Sequence, residues 1–268
     1  MKTHARWLAL AAVLALGACE TVPPPPPPPP ADAPVSLPAF LSAALADANR
    51  PEADRARDAG RHPGEVLLFA GLKPGMKVVD LIPGSGYFTR ILAKAVGPGG
   101  RVFAYVPDEL TAIAKGRPPS VAAFAGKAPY ANTRMILQTL PTFAAPEKVD
   151  MVFTAQNYHD MHLPFMGPAD LSVVNRRIFA ALKPGGVYIV IDHSAKAGSG
   201  LRDAESLHRI DAALVRKEIE AAGFVFEGES RVLRNPRDPL TANVFDPSIR
   251  GRTDQFVYKF RKPRSARS

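Results

Sequence analysis

The sequence predicts an α/β fold in which helices cover both faces of a mainly parallel β-sheet. Strand-like and helix-like segments alternate along the chain, and this is the order that a parallel sheet with crossover helices requires. The run at 187–191 is apolar without interruption, as expected for a strand that is buried on both faces. A Gly-x-Gly turn at 84–86 follows the first predicted strand. With 268 residues, of which 46% are hydrophobic, the chain can form one such domain with extensions.

Turns rich in glycine and proline separate the predicted elements. The strands are short apolar or β-branched runs, and the helices have apolar residues at helical spacing. The last helix is predicted to be continuous, because Leu207, Ile210 and Leu214 lie on one stripe and Gly223 is a typical helix stop. The predicted helices are 40–48, 53–61, 87–95, 169–182 and 207–222, and the predicted strands are 77–81, 102–106, 133–137, 149–155, 187–191, 224–233 and 254–260.

Residues 78–89, with the sequence VVDLIPGSGYFT, are the most informative segment of the chain. A β-branched run ends in Asp80, the Gly-x-Gly turn follows, and an apolar segment then begins a helix. A strand, a tight turn and a helix N-terminus in this order typically hold a nucleoside-containing cofactor at the edge of a parallel sheet. A dinucleotide fingerprint requires Gly or Ala where this chain has Thr89. The segment therefore favours a cofactor that lacks a pyrophosphate.

This segment resembles motif I of class I S-adenosylmethionine-dependent methyltransferases, although Ile82 occupies the place of the usual first glycine and Pro83 follows it. The resemblance extends over about residues 63–262 and implies a Rossmann-like seven-stranded sheet in the order 3-2-1-4-5-7-6, with strand seven antiparallel. Three further segments resemble the family's entries to strands four, five and six: 149–153, 182–191 and 221–224. Three others resemble a bacterial group of predicted methyltransferases with no assigned substrate: 157–160, 192–193 and 250–256.

The resemblance implies that S-adenosylmethionine is the cofactor and that Asp80, Gly84 and Gly86 line its methionine moiety. In this family an acid that binds the ribose normally ends the second strand, where this chain has Val106. Asp108 or Glu109, two or three residues later, is the candidate for that role, and the alternative is that both are solvated loop acids. The full set of cofactor-binding candidates is Asp80, Gly84, Ser85, Gly86, Tyr87, Asp108, Gln156 and Asn157.

Histidines and acids that follow the fourth and fifth strands are candidates for acid–base chemistry. Methyl transfer is an in-line displacement, so the enzyme positions donor and acceptor and sometimes removes a proton from the acceptor. An imidazole titrates near neutrality, which makes His159 a candidate base that Asp160 would orient, with His193 a second candidate beside Asp192. The alternative for each histidine is a structural hydrogen bond. A metal site is a further alternative if His159, Asp160, His162 and His193 converge. No metal is assigned, because the His-x-x-His spacing at 159–162 is not a recognised metal signature.

The first 36 residues predict export and lipidation. A short basic start precedes an apolar run at 7–16, and Leu-Gly-Ala-Cys at 16–19 resembles a bacterial lipobox. We therefore expect a signal peptide at 1–18 and then, at 19–36, a lipidated Cys19 and a proline-rich spacer. An ordinary secretory signal is the alternative. Glu20 favours sorting to the outer membrane, with the domain facing the periplasm.

We expect a folded domain at 37–262 and a basic tail at 263–268. The formal net charge is +9, and residues 261–267 contribute four positive charges without an acid. No aromatic residue lies among these charges, so the sequence favours a solvated tail and predicts no nucleic-acid partner.

Taken together, these features predict an S-adenosylmethionine-dependent methyltransferase that acts on an unknown small-molecule acceptor. Export conflicts with this function, because the cofactor is made and kept in the cytoplasm. The alternative is an exported, non-catalytic module that binds a ligand or partner and retains a methyltransferase fold with an altered cofactor pocket.

Overall fold

One seven-stranded sheet organises the computed structural model, which describes residues 36–167 and 169–264. Its strands are β1 (Lys77–Leu81), β2 (Arg101–Pro107), β3 (Thr133–Gln138), β4 (Val149–Ala155), β5 (Leu182–His193), β6 (Val225–Ser230) and β7 (Gln255–Arg261). They lie in the order β3-β2-β1-β4-β5-β7-β6. Strand β7 is antiparallel to β5 and β6, and the other pairings are parallel. The predicted fold class and strand order are therefore confirmed.

The α-helices of the described residues lie between and around these strands. They are α1 (Ala39–Leu45), α2 (Glu52–Arg55), α3 (Asp58–Arg61), α4 (Pro63–Ala70), α5 (Tyr87–Val96), α6 (Asp108–Ile113), α7 (Leu171–Ala181), α8 (Ala204–Leu207) and α9 (Ala212–Ala221). None of these helices has the length and apolar character that crossing a membrane requires. The predicted signal peptide, Cys19 and nearly all of the spacer lie outside the described residues.

The side chains of β1 point alternately to the two faces of the sheet, and both faces are covered. Val78 and Val79 are both fully buried, but they belong to different apolar clusters, because successive strand side chains point to opposite faces. The cluster with Val78 includes Ile91 of α5, and the cluster with Val79 includes Ile178 of α7. Burial on both faces makes the pairing register of the sheet specific.

The predicted helix at 207–222 is wrong in its first turn. His208 has a left-handed backbone (φ 55°), so α8 ends before it, and Ile210 forms a parallel bridge with Ser194. Helix α9 then begins after Asp211, whose carboxylate accepts a hydrogen bond from the Ala213 amide. Ile210 is fully buried, and this tertiary pairing outweighs the helical period of the sequence.

The predicted helix at 53–61 is also divided, into α2 and α3. Its residues lie next to the carboxyl end of β1, because Arg57 donates a hydrogen bond to the Ser85 hydroxyl at 3.3 Å. Helix α4, which the sequence did not predict, follows α3 directly and packs on α1. The chain before β1 therefore brings side chains to the sheet edge at which nucleoside cofactors bind.

Candidate functional site

The turn after β1 has a left-handed backbone at three positions: Ile82 (φ 59°), Gly84 (φ 56°) and Gly86 (φ 83°). This conformation is unfavourable for a β-branched residue, and it explains why related motifs carry a glycine at the position of Ile82. The Ile82 amide donates to the Tyr105 carbonyl at 2.9 Å, which anchors the turn to β2. Ile82 thus follows the backbone path of a glycine and adds a buried side chain to the site.

The two glycines of the turn have different surroundings. A Cβ at Gly86 would lie 2.5 Å from a ring carbon of Phe124, whereas a Cβ at Gly84 would meet nothing within 4 Å. Gly86 is therefore required for packing, and Gly84 leaves open space beside the cavity described below.

We expect Gly86→Ala to lower the free energy of unfolding by about 2–4 kcal/mol and Gly84→Ala by about 1 kcal/mol. Both changes strain a left-handed backbone, but only the first adds a steric overlap with Phe124. Urea unfolding of the two variants measures the difference. Equal losses would show that the Phe124 contact does not constrain this turn.

Asp80 lies at the carboxyl end of β1 and is buried, with 3% of its surface exposed. Its Oδ2 accepts a hydrogen bond from the Thr89 hydroxyl at 2.6 Å. Burial raises the pKa of Asp80 to about 7, against the opposing effects of Thr89 and Arg61. A carboxyl group kept in so poorly solvated a place is suited to bind a cationic group of a ligand.

A cavity of about 320 Å³ opens at the carboxyl ends of β1, β4 and β5. The structure brings nine of the predicted site residues together around it, and Gly86 and Asp108 are not among its lining residues. The nine are Asp80, Gly84, Ser85, Tyr87, Gln156, Asn157, His159, Asp160 and His193.

A second cavity of about 390 Å³ adjoins the first, and both are lined by Pro83 and Gly84. Its walls include Val106 and Leu110, so it is more apolar than the first. Asp108 begins α6 and is not among the residues that line this cavity either. Its predicted ribose contact therefore stays a prediction.

Two arginines that the sequence analysis missed, Arg57 and Arg61, also line the first cavity. Their guanidinium carbons lie 4.8 and 4.7 Å from the ring centroid of Tyr87, whose hydroxyl donates to Asp58 at 2.6 Å. Burial, and then the nearby Arg57, lower the pKa of Arg61 from its usual value. The two arginines are four residues apart within the predicted helix at 53–61, so they would lie on one helix face. This spacing was the signal available in the sequence.

Gln156 and Asn157 follow β4 and connect the elements around the cavity. Gln156 has a left-handed backbone (φ 65°), and its side-chain oxygen accepts a hydrogen bond from Arg61 at 2.5 Å. The Asn157 side-chain amide donates to the Ile82 carbonyl at 3.1 Å. These contacts position Arg61 and the turn after β1.

His159 is buried and tightly paired with Asp192, whose side chain is fully buried. Its Nδ1 lies 2.9 and 3.0 Å from the two carboxylate oxygens of Asp192, and its amide donates to Oδ2 at 2.7 Å. Burial alone lowers the pKa of His159, but Asp192 and Asp160 outweigh it and raise the pKa to about 10. The His159 imidazole is therefore protonated at neutral pH when no other cation is present.

The pKa of His193, at the end of β5, is shifted in the opposite direction to that of His159. Burial lowers the pKa of His193 to about 4, although Asp192 opposes this change. Its Nδ1 lies 2.7 Å from the Thr253 hydroxyl, and its ring lines the cavity. Of the two histidines predicted as catalytic, His193 is the neutral one at pH 7.

A third histidine, His208, joins His159 and Asp160, and the sequence did not indicate it. His162, which the sequence placed near this group, instead pairs with Glu218 at 3.1 Å. Phe245 packs edge-to-face with His208, with ring centroids 5.0 Å apart, and also lines the cavity.

Comparison with known proteins supports the fold assignment. No family model and no curated protein matches the chain. Among solved structures, an S-adenosylmethionine-dependent methyltransferase from Aquifex aeolicus matches with a TM-score of 0.50 and 20% identity, covering 75% of this chain and 89% of that protein. A protein from a Haloferax volcanii complex with the Trm112 methyltransferase activator matches with a TM-score of 0.54 and 17% identity. The match covers 84% of this chain and 98% of that protein.

The fold of the described domain is therefore the class I S-adenosylmethionine-dependent methyltransferase fold. The [4+2]-cyclase SpnF matches as well, with a TM-score of 0.55 and 18% identity over 81% of this chain and 85% of that protein. Since a cyclase has the same fold, the activity must be inferred from the site.

Proposed function

We propose that the protein binds S-adenosylmethionine in the cavity and transfers its methyl group to a small acceptor. The observation that carries this proposal is Asp80, a buried carboxyl group beside a left-handed turn at the carboxyl edge of a methyltransferase sheet. S-adenosylmethionine has a cationic amino group, and its sulfonium is also positively charged. A carboxylate is the group that favours such a ligand over neutral ones.

The lining residues supply a partner for each part of the cofactor. Asp80 would accept hydrogen bonds from the amino group, and the Arg61 guanidinium would bind the carboxylate. The adenosine would extend across Pro83 and Gly84 into the second, more apolar cavity. When bound, the cofactor supplies the electrophilic methyl group.

The protein would position the acceptor and hold its proton. We propose His193 as the group that accepts this proton, because it lines the cavity and its imidazole is unprotonated at pH 7. A base with so low a pKa accepts a proton efficiently only from an acidic acceptor group. His159 is less suited to this role, since its Nδ1 is held by Asp192 and its pKa is high.

Ile82 supports the alternative, a non-catalytic binding module. Ile82 lines the cavity where the related motif has a glycine, and its side chain takes up space that a glycine would leave. The predicted export to the periplasm, where the cofactor is not made, favours the same alternative.

Cofactor titration at two pH values tests the proposal. We expect S-adenosylmethionine to bind the purified full chain about tenfold more weakly at pH 6 than at pH 7.5, because a raised Asp80 pKa of about 7 means that the ligand must compete with a proton. Isothermal calorimetry measures this change. Absence of binding at millimolar cofactor would favour the binding module, and a pH-independent affinity would exclude Asp80 as the group that binds the amine.

A further inference from the structure

We propose that His159, Asp160 and His208 bind a divalent transition-metal cation such as Zn²⁺ at the edge of the cavity. His159 and Asp160 come from the turn after β4, and His208 comes from the end of α8 about fifty residues later. All three line the cavity, so a cation held by them would face the bound ligand.

The donor atoms form a compact triangle. Nε2 of His159 lies 3.2 Å from Oδ1 of Asp160 and 3.3 Å from Nδ1 of His208. The third side, from His208 Nδ1 to Asp160 Oδ1, is 3.8 Å. A tetrahedral zinc site with metal–ligand bonds of about 2.0–2.2 Å has donor atoms about 3.3–3.6 Å apart. One cation therefore fits between these atoms with only small side-chain movements.

Asp192 prepares His159 to act as a ligand. It lies on the opposite side of the ring from the triangle, with both carboxylate oxygens within 3.0 Å of Nδ1. This contact keeps a proton on Nδ1, so a cation that binds displaces the proton of Nε2 to solvent and takes up its lone pair on the side of the other two donors. A buried carboxylate that orients a histidine in this way is the usual outer partner of a metal ligand.

His208 is held in place by its surroundings and not by a regular element. Its left-handed backbone is unfavourable for a non-glycine residue and therefore needs support from its neighbours. The support includes the next residue, Arg209, which is fully buried and forms two hydrogen bonds with Asp238 at 2.9 and 3.1 Å. The chain thus places this imidazole in the triangle at an energetic cost, as is common at functional sites.

The donor set indicates the kind of cation. Two imidazoles and one carboxylate suit zinc, iron, cobalt or nickel better than calcium or magnesium, which prefer oxygen ligands. Three protein ligands leave at least one coordination position open, and Asp160 and His208 are both partly exposed to the cavity. This arrangement is typical of catalytic sites and not of closed structural sites.

The open position also indicates a class of acceptor, an inference that rests on the proposed methyltransferase function. A cation here would bind the oxygen of an acceptor hydroxyl or carboxylate and lower the pKa of a hydroxyl, which makes the oxygen a better nucleophile. His193 lines the same cavity and would remain free to take the proton. We therefore infer an oxygen-containing acceptor that can coordinate a metal.

Metal titration of the untagged full chain, after removal of metals with a chelator, tests the site independently of methyl transfer. We expect one equivalent of Zn²⁺ to bind, and one equivalent of Co²⁺ to give the intense visible absorption of a tetrahedral complex. His208→Asn and His159→Ala should each weaken Zn²⁺ binding by tenfold or more. Asparagine is chosen at 208 because it tolerates a left-handed backbone. Asp192→Asn should weaken Zn²⁺ binding by about tenfold to a hundredfold.

His162→Ala is the matched control. His162 lies in the same turn as His159 but pairs with Glu218 and not with the metal-binding triangle. It should leave Zn²⁺ affinity unchanged. Absence of stoichiometric binding by the folded wild-type chain would overturn the proposal, as would equal affinities for His208→Asn and the wild type. The triangle would then be a hydrogen-bonded cluster with a protonated His159. None of these outcomes depends on S-adenosylmethionine, so the site and the proposed function can fail separately.

Discussion

Replacing Asp80 with asparagine should make the protein more stable while it weakens cofactor binding. The carboxyl group has a pKa of about 7 in the folded protein against an ordinary value of 3.8, so the folded state binds its proton more tightly than the unfolded chain does. The stabilisation of the folded state by this protonated carboxyl group is complete below about pH 4 and is lost as the pH rises through 7. Above that value a charged carboxylate remains buried in a poorly solvated site at a substantial cost.

Asparagine has nearly the same shape and carries no charge. Its side-chain oxygen can still accept the hydrogen bond that Thr89 donates to Asp80 at 2.6 Å. We expect Asp80→Asn to raise the free energy of unfolding of the cofactor-free protein by about 2–4 kcal/mol at pH 8 and by less at pH 5.5. Loss of the charged hydrogen-bond acceptor should weaken S-adenosylmethionine binding by about tenfold to a hundredfold.

Urea unfolding at the two pH values and calorimetric titration measure these effects. Asp203→Asn is a suitable control, because Asp203 pairs with Arg202 outside the cavity and its pKa is lowered and not raised. A loss of stability in Asp80→Asn that does not depend on pH would contradict the interpretation of Asp80 as a strained functional carboxylate. Retained affinity would show that the cofactor, if it binds, does not contact this residue.

Removing the buried Arg209 should have the largest effect on stability. Arg209 and Asp238 have fully buried side chains, and two hydrogen bonds at 2.9 and 3.1 Å join them. Arg209 also donates to the carbonyls of Ser194 and Ala242, so it connects β5 to the segment before β7. We expect Arg209→Met to lower the free energy of unfolding by about 3–5 kcal/mol, because it leaves the Asp238 carboxylate buried without its counter-ion.

A double-variant comparison separates the charge effect from packing. Adding Asp238→Asn to Arg209→Met should recover part of the loss, since no unpaired charge then remains buried. The matched control is Arg202→Met, which removes an arginine from an exposed pair with Asp203 and should change stability by less than about 0.5 kcal/mol. If Arg209→Met costs no more than this control, the buried pair does not hold the loops around His208.

The elements around β1 were predictable because local sequence determines them. The bounds of β1 and β4 agree with the predicted strands, and α5 differs from its prediction by one residue. Short apolar runs bounded by turn residues mark strands that are buried on both faces, and glycines at 84 and 86 permit a left-handed turn that few other residues allow. The strand order followed from the family resemblance and not from the periodicity itself.

The predicted helix at 207–222 failed for a physical reason. Its apolar stripe would suit a helix, but Ile210 gains more by pairing with Ser194 beside the sheet, and His208 takes the unfavourable backbone that this pairing requires. A pattern of residues within one segment contains no information about such long-range competition.

The amino-acid sequence by itself determined the fold class, the strand that ends in Asp80 and the glycine turn beside it, because near neighbours in the chain specify these features. Only the tertiary structure decided which distant side chains share the cavity. Arg61 reaches it from a helix before β1, and His208 reaches it from a loop that Arg209 and Asp238 anchor. Such groupings depend on packing between segments far apart in the chain, and no local pattern encodes them.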